Sequence, residues 1–261
     1  MKLNFFLIVL SFSYGLSAQQ WIKSDSIVLD QSILCSCINV NDEIFLGTQS
    51  GVIIKSGLHG EIVQEFSYPN TGLPTQIDCA NPLKVFVFFN ETQSYLIIDR
   101  FTVSPKIYNL SSKPGERIEQ ATLAADQSIW SVSYPSISLS REDISGKSTL
   151  YFLTSLISED ETVSQLLALG KQIVLVTNKK LHYFNLAGQY LGNQVLSTPA
   201  IIQPSKSNGY YLYDKKLYTI SAIEPIAGPF NVDSNYQIGA LINPDLCILI
   251  NDNQGDFYFM R

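Results

Sequence analysis

Histidine is the scarcest chemically useful residue in this chain: there are two in 261 positions. Nucleophilic catalysis needs a base beside its nucleophile. His59 falls in the turn Gly57–Gly60 and reads as a solvated loop residue. His182 falls in a strand pattern between Leu181 and Tyr183, and alternation points it to the opposite face from both, a structural position. No Gly-x-Ser-x-Gly elbow is present, nor a Ser-x-x-Lys in a helical context. Cysteine is also sparse, at positions 35, 37, 79 and 247. Cys35 and Cys37 share a strand face and are badly placed to bond each other, so buried free thiols are expected, although export would permit disulfides. Their spacing, with so few histidines, is not that of a zinc site. Basic residues form no cluster, and 17 Lys and Arg stand against 23 Asp and Glu. An acidic chain repels phosphate, which excludes nucleic acid as a partner. Helix-period patterns are nearly absent, and no run reaches the ~20 apolar residues of a membrane-spanning helix.

What is present begins with an export signal. Lys2 supplies a positive start, Phe5–Leu10 a short apolar run, and Leu16–Ala18 the small residues of a cleavage site. Residues 1–18 are therefore expected to be a signal peptide and residues 19–261 one mature domain, located in the periplasm. No cysteine sits at the cleavage site to carry a lipid. Removal of Lys2 leaves 16 basic and 23 acidic residues, a net of −7.

A repeat fills the mature chain. Pairs of β-rich runs joined by a short polar turn occur at Glu43–Lys55, Lys84–Asp99, Gln172–Asn185, Gly209–Ile220 and Leu246–Phe259. A stretched copy runs from Ile129–Ser133 to Leu150–Leu153, making six. A further strand precedes each pair: Leu34–Val40, Gln76–Ala80, Gln120–Ala124, Gln165–Leu169, Ala200–Gln203 and Gln237–Ile242. A fourth follows several, as at Gly60–Phe66, Ser104–Leu110 and Gly188–Val195. Four strands per unit at a spacing of ~40 residues is the pattern of a propeller blade. The predicted fold is all-β, a six-bladed β-propeller of four-stranded antiparallel blades. The sixth unit ends one strand short, and Ile27–Leu29 is expected to supply it and close the ring.

Ile77–Phe89, with its Asn81-Pro82-Leu83-Lys84 step, and the returning Tyr95–Asp99 resemble a motif of exported, WD-repeat-like propellers of Bacteroidota. The Ser-Ala-Gln end of the signal peptide is similar to that phylum's, and Asp25-Ser26-Ile27 to its periplasmic O-glycosylation motif. The resemblance implies an accessory subunit of an outer-membrane assembly, such as a periplasmic plug of the type IX secretion translocon.

No catalytic residue, metal site or cofactor is expected. Ser158–Glu161 is a carboxylate cluster able to hold a cation only weakly, and Asn251–Asp256 reads as a tight turn rather than a calcium loop. The irregular feature is the connection Tyr134–Ser148, far longer than its counterparts. Tyr134, Arg141, Glu142 and Asp143, with Tyr68 and with Glu159, Asp160 and Glu161 of the inter-blade links, are expected to form one rim that docks an envelope or outer-membrane protein. The expectation is thus a non-catalytic interaction module. Two alternatives are a glycan-active hydrolase or lyase with carboxylates converging at the axis, and a small-ligand or glycan sensor.

Overall fold

A computed structural model describes residues 20–79, 81, 83–99, 106–110, 114–196, 199–206, 208–221, 225–230 and 236–260. The expected signal peptide lies outside the described residues. The described chain contains no helix.

After β1 (Trp21–Val28), six antiparallel meanders follow in order. The first is β2 (Ile33–Ile38), β3 (Ile44–Thr48), β4 (Ile53–Ser56) and β5 (Ile62–Phe66). The second is β6 (Gln76–Asp78), β7 (Lys84–Phe89), β8 (Ser94–Asp99) and β9 (Ile107–Asn109). The third is β10 (Arg117–Leu123), β11 (Ile129–Tyr134), β12 (Ser138–Glu142) and β13 (Ser148–Phe152). The fourth is β14 (Val163–Leu169), β15 (Gln172–Thr177), β16 (Lys180–Asn185) and β17 (Tyr190–Val195). The fifth is β18 (Gln203–Ser205), β19 (Asn208–Tyr213) and β20 (Lys216–Thr219). The sixth is β21 (Ile238–Asn243), β22 (Leu246–Ile250) and β23 (Gln254–Met260).

Hydrogen bonding groups these strands into five sheets, because the fifth and first meanders are joined by one parallel pairing, Ser205 to Ile38. β1 pairs antiparallel with β23, from Trp21 opposite Met260 to Val28 opposite Gln254, so the start and end of the described chain share a sheet. Lys23 Nζ lies 2.7 Å from the buried Asp256 carboxylate across that pairing.

Apolar residues explain the layering. Second strands such as β3, β7, β15 and β22 are buried almost throughout, whereas last strands such as β5 and β9 are largely exposed. A strand covered on both faces reads as a continuous apolar run, as Val85–Phe89 and Ile173–Val176 do. The core is divided into clusters that lie between consecutive meanders. Phe45, Ile53, Val87 and Phe89 join the first to the second, and Phe86, Phe88, Ile118 and Leu123 the second to the third. Trp130, Leu139, Leu166 and Leu175 join the third to the fourth. Each sheet therefore packs on its neighbours by its faces.

Two expectations need correction. The connection Tyr134–Ser148 is not a long loop: Ser138–Glu142 forms β12, flanked by two tight turns, so the third meander has four ordinary strands. The cysteines are not all free. Cys37 and Cys79 form a disulfide between the first and second meanders, while Cys35 and Cys247 remain thiols.

Candidate functional site

The first strands of the meanders lie against one another: β2 beside β6 and β18, β6 beside β10, β10 beside β14, and β18 beside β21. Apart from the single Ser205–Ile38 pairing, these strands converge without forming a common ladder, so the backbone groups turned toward the centre need other partners. Glutamines supply them. Gln165 forms two bonds with Ile202, donating from Nε2 to its carbonyl at 3.0 Å and accepting its N–H at Oε1 at 2.7 Å. Gln203 donates to the Ser36 carbonyl at 2.9 Å and accepts the Ser36 hydroxyl at 2.6 Å. Gln76 donates to the Leu166 carbonyl, but its buried Oε1 accepts nothing among the described residues. A primary amide carries one donor group and one acceptor, as a peptide group does, so Gln165 serves Ile202 as a paired strand would, while Gln203 and Gln76 each serve one backbone carbonyl.

These glutamines line a pocket of ≈ 230 Å³ to which all six first-strand regions contribute, with Leu34, Gln76, Gln120, Ser164, Ile201 and Ile238 among its walls. Deeper along the strands the centre is closed. Asp78 accepts the Thr122 hydroxyl and, at 3.4 Å, the Ala168 N–H. Lys206 donates its N–H to Ile38 O at 2.8 Å and its Nζ lies 2.7 Å from Asp42. Among the described residues that line the pocket the one ionisable group is Cys35, whose thiol burial pushes up to about 12, out of reach of proton transfer near neutrality.

A second, larger cleft of ≈ 490 Å³ lies between the first two meanders, beyond the far end of β2. Its walls carry Glu43, Lys55, Lys84 and Asp99, with Phe45 and Phe66 as apolar surface. Glu43 accepts Asn39 Nδ2 at 2.6 Å and pairs with Lys55 Nζ at 2.5 Å. Lys84 and Asp99 face each other in the β7–β8 register, and Lys84 reaches Gln127 of the third meander at 2.6 Å. Two carboxylates and two ammonium groups in one cleft can move protons and steady developing charge.

The predicted rim does not assemble as expected. Tyr134 lies at the end of β11, its hydroxyl accepting Val163 N–H at 3.2 Å and its ring packed on the core. Arg141 and Glu142 stand opposite Trp130 and Ile129, at the other end of β11, so they and Asp143 share no rim with Tyr134. Arg141 is held by Asp126 at 3.1 Å and sits over the Trp130 ring, and Asp143 folds its own turn through Ser145 and Lys147. Tyr68 packs half-buried on the core between the first two meanders. Glu159 and Asp160 are exposed, and Asp160 pairs with Lys179. Glu161 is no surface group but buried, bonded to Lys180, Ser158, Thr177 and His182. His59 is exposed and bonded to Asp25 at 3.1 Å.

Sequence reasoning missed both pockets. A glutamine recurs in or just before the first strand in five of the six units, at 76, 120, 165, 203 and 237, and that recurrence was readable. Lys84 and Asp99 fall in the Ile77–Phe89 and Tyr95–Asp99 motif, which by itself points to no cleft.

No family of sequences matches the chain, and no curated protein matches it. Solved structures do. A catalytically inactive variant of virginiamycin B lyase from Staphylococcus aureus with quinupristin shares 12% identity at a TM-score of 0.58, over 92% of this chain and 98% of that one. A selenomethionine form of the S. aureus enzyme shares 11% at 0.59, over 92% and 99%. A streptogramin B lyase structure shares 10% at 0.56, over 91% and 97%. The fold is a β-propeller. The comparison overturns the expectation of a non-catalytic module: this fold, at nearly this chain's full length, carries lyases. The lyases agree better with the expected enzymatic alternative, although no carboxylate lines the central pocket among the described residues.

Proposed function

We propose that the chain is a propeller-fold enzyme, a lyase or hydrolase, acting by acid–base chemistry in the cleft between its first two blades. On this reading the propeller has six blades, the seven-stranded sheet counting as two, and β1 on β23 closes the ring. The observation that carries the proposal is the meeting of Glu43, Asp99, Lys55 and Lys84 around one cleft. In an elimination, a carboxylate removes the proton while an ammonium group steadies the negative charge that develops on a carbonyl or leaving oxygen. Glu43, already hydrogen-bonded by Asn39 and Lys55, is assigned the base, and Lys84 the electrostatic role. Two positive and two negative groups suit a substrate of no net charge, such as a neutral glycan or an ester-linked ligand. The streptogramin B lyases support the reaction class through the shared fold alone. Export to the periplasm belongs to the same proposal, supported by the apolar N-terminal run and by the Cys37–Cys79 disulfide, since such bonds persist in oxidising compartments.

The test is turnover of a panel of neutral glycans and of quinupristin by the mature chain, followed by mass spectrometry of the products. Glu43→Gln should lower kcat/KM on the accepted substrate by roughly 10²–10⁴-fold, the usual worth of a general base. Absence of turnover across the panel, or full activity in Glu43→Gln, refutes the assignment.

A further inference from the structure

We infer that the cleft between the fourth and fifth meanders is a second ligand site, which holds a neutral sugar ring without acting on it. It is the counterpart of the charged cleft. Each opens beside the first turn of its leading meander, at Asn39–Glu43 in one and between Leu169 and Gln172 in the other. Their volumes are ≈ 490 and ≈ 470 Å³, within the roughly 300–1,000 Å³ of small-molecule sites. The third and fourth strands carry a bulge at the same place in both. Lys55 faces Gln64 and Ser56 faces Ile62, which leaves Val63 over. Tyr183 faces Gly192 and Phe184 faces Tyr190, which leaves Leu191 over. Tyr183 thus stands where the charged cleft has Lys55, and Gly192 where it has Gln64.

Those exchanges name the occupant. No charged side chain lines this cleft among the described residues, so it offers no carboxylate to take a proton. An ion would lose its hydration there without a counter-charge. Burial pushes the Tyr183 phenol above its ordinary range, which keeps it protonated. Its ring packs on the apolar cluster between the two meanders. Gly192 opposite has no side chain, and a Cβ added there would meet nothing within 4 Å, so the ring is left uncovered toward the outer strand. Two amides flank it. Gln172 lies two residues before Val174 and Gln194 stands opposite Leu181, so strand alternation puts both on the face of that cluster. Gln194 accepts the Tyr183 hydroxyl at 3.0 Å, and its Nε2 has no partner among the described residues, nor has the exposed Gln172 amide. A sugar ring is C–H on its faces and hydroxyl at its rim, and each hydroxyl both donates and accepts. The uncovered ring suits the first and the amides suit the second. A peptide would meet the amides equally well; the ring favours the sugar. Binding here needs nothing from the charged cleft, so the site stands even if no turnover is found there.

Saturation-transfer NMR on the mature chain is the test, with all probes at equal concentration. The neutral probes are methyl glucoside, methyl galactoside and methyl mannoside; the controls are glucuronate, glucosamine and N-acetyl-alaninamide. Transfer to at least one neutral sugar is expected above all three controls. Tyr183→Ala removes the platform and should cut that transfer to under half. Gln172→Ala combined with Gln194→Ala keeps the ring and should weaken binding by about two- to tenfold for each neutral hydrogen bond lost. Should Tyr183→Ala fail to fold, the double variant still decides, because its two positions are exposed or half-buried. No transfer to any neutral sugar, a preference for any control, half or more of the transfer kept in folded Tyr183→Ala, or undiminished binding in the double variant overturns the inference.

Discussion

Glu161 is the single carboxylate on which the fourth blade most depends, and replacing it with glutamine should be costly in a pH-dependent way. It enters from the β13–β14 link and is 3% exposed. Its two oxygens receive Lys180 Nζ at 2.7 Å, Ser158 Oγ at 2.8 Å, Thr177 Oγ1 at 3.1 Å and, at 3.2 Å, His182 Nε2. Burial alone would raise its pKa, but those four partners outweigh it and hold the group down to about 2 from an ordinary 4.5. At about 1.36 kcal/mol per pH unit, the difference ties on the order of 3 kcal/mol of folding free energy to the ionised form. A depressed folded-state pKa means that the contribution is complete above 4.5 and is lost as the pH falls toward 2. By pH 3.5, ~1.4 kcal/mol of it should already be gone. Urea denaturation followed by the fluorescence of Trp21 and Trp130 gives the measurement, on wild type and Glu161→Gln, at pH 7 and pH 3.5. The variant should be less stable by about 2–4 kcal/mol at pH 7, and the gap should shrink by nearly half at the lower pH. A variant within 1 kcal/mol of wild type at pH 7, or a gap that does not change with pH, would refute the reasoning.

Two further outcomes follow from the way the blades are tied. The Cys37–Cys79 disulfide closes a loop of 42 residues, and the chain-entropy relation gives it ~4 kcal/mol. The Cys37→Ser, Cys79→Ser double variant should lose stability of that order in urea, and an unchanged midpoint would count against a native bond. Gly60 has φ +78°, and a Cβ there would lie 2.6 Å from Ser26 O of β1. Gly60→Ala should therefore cost ~2–3 kcal/mol, against ~1 for Gly146→Ala, which has similar φ and open space, and equal losses would show that β1 does not press on that turn.

Much of the strand layout was legible because each meander repeats the same short vocabulary, an apolar run, a polar turn and a returning apolar run. The position of Trp21–Val28 beside Gln254–Met260 could be expected because a final unit with three strands leaves an unpaired edge. β12 was not legible. Ser138-Leu-Ser-Arg-Glu142 holds one apolar residue and none of the β-branched or aromatic residues that mark strands, and it is extended because β11 and β13 both pair with it. Misreading it placed Arg141, Glu142 and Asp143 at the wrong end of the blade. The disulfide was hidden for a different reason, since Cys37 and Cys79 meet only when two first strands come together, a contact with no local signature. Glu161 was expected on the docking rim and is instead buried among its own partners, because sequence shows a run of carboxylates without showing which of them turns inward.

The glutamines show where the readable and the unreadable meet. Inner strands that converge on a centre cannot extend one another's ladders, yet their backbone groups still need partners. A side chain that copies a peptide group supplies such a partner where Gln165 meets Ile202, where Gln203 meets Ser36 and where Gln76 meets Leu166. Once the reason is understood, the exception becomes the informative member. At Gln165 and Gln203 a donor and an acceptor are both engaged. At Gln76 only the donor is engaged. Gln76→Met removes the open acceptor, but it also removes the Nε2 donor to the Leu166 carbonyl, so the variant should lose about 1–3 kcal/mol of stability in urea denaturation. A Gln76→Met variant as stable as wild type would show that this amide does not serve its neighbour's backbone.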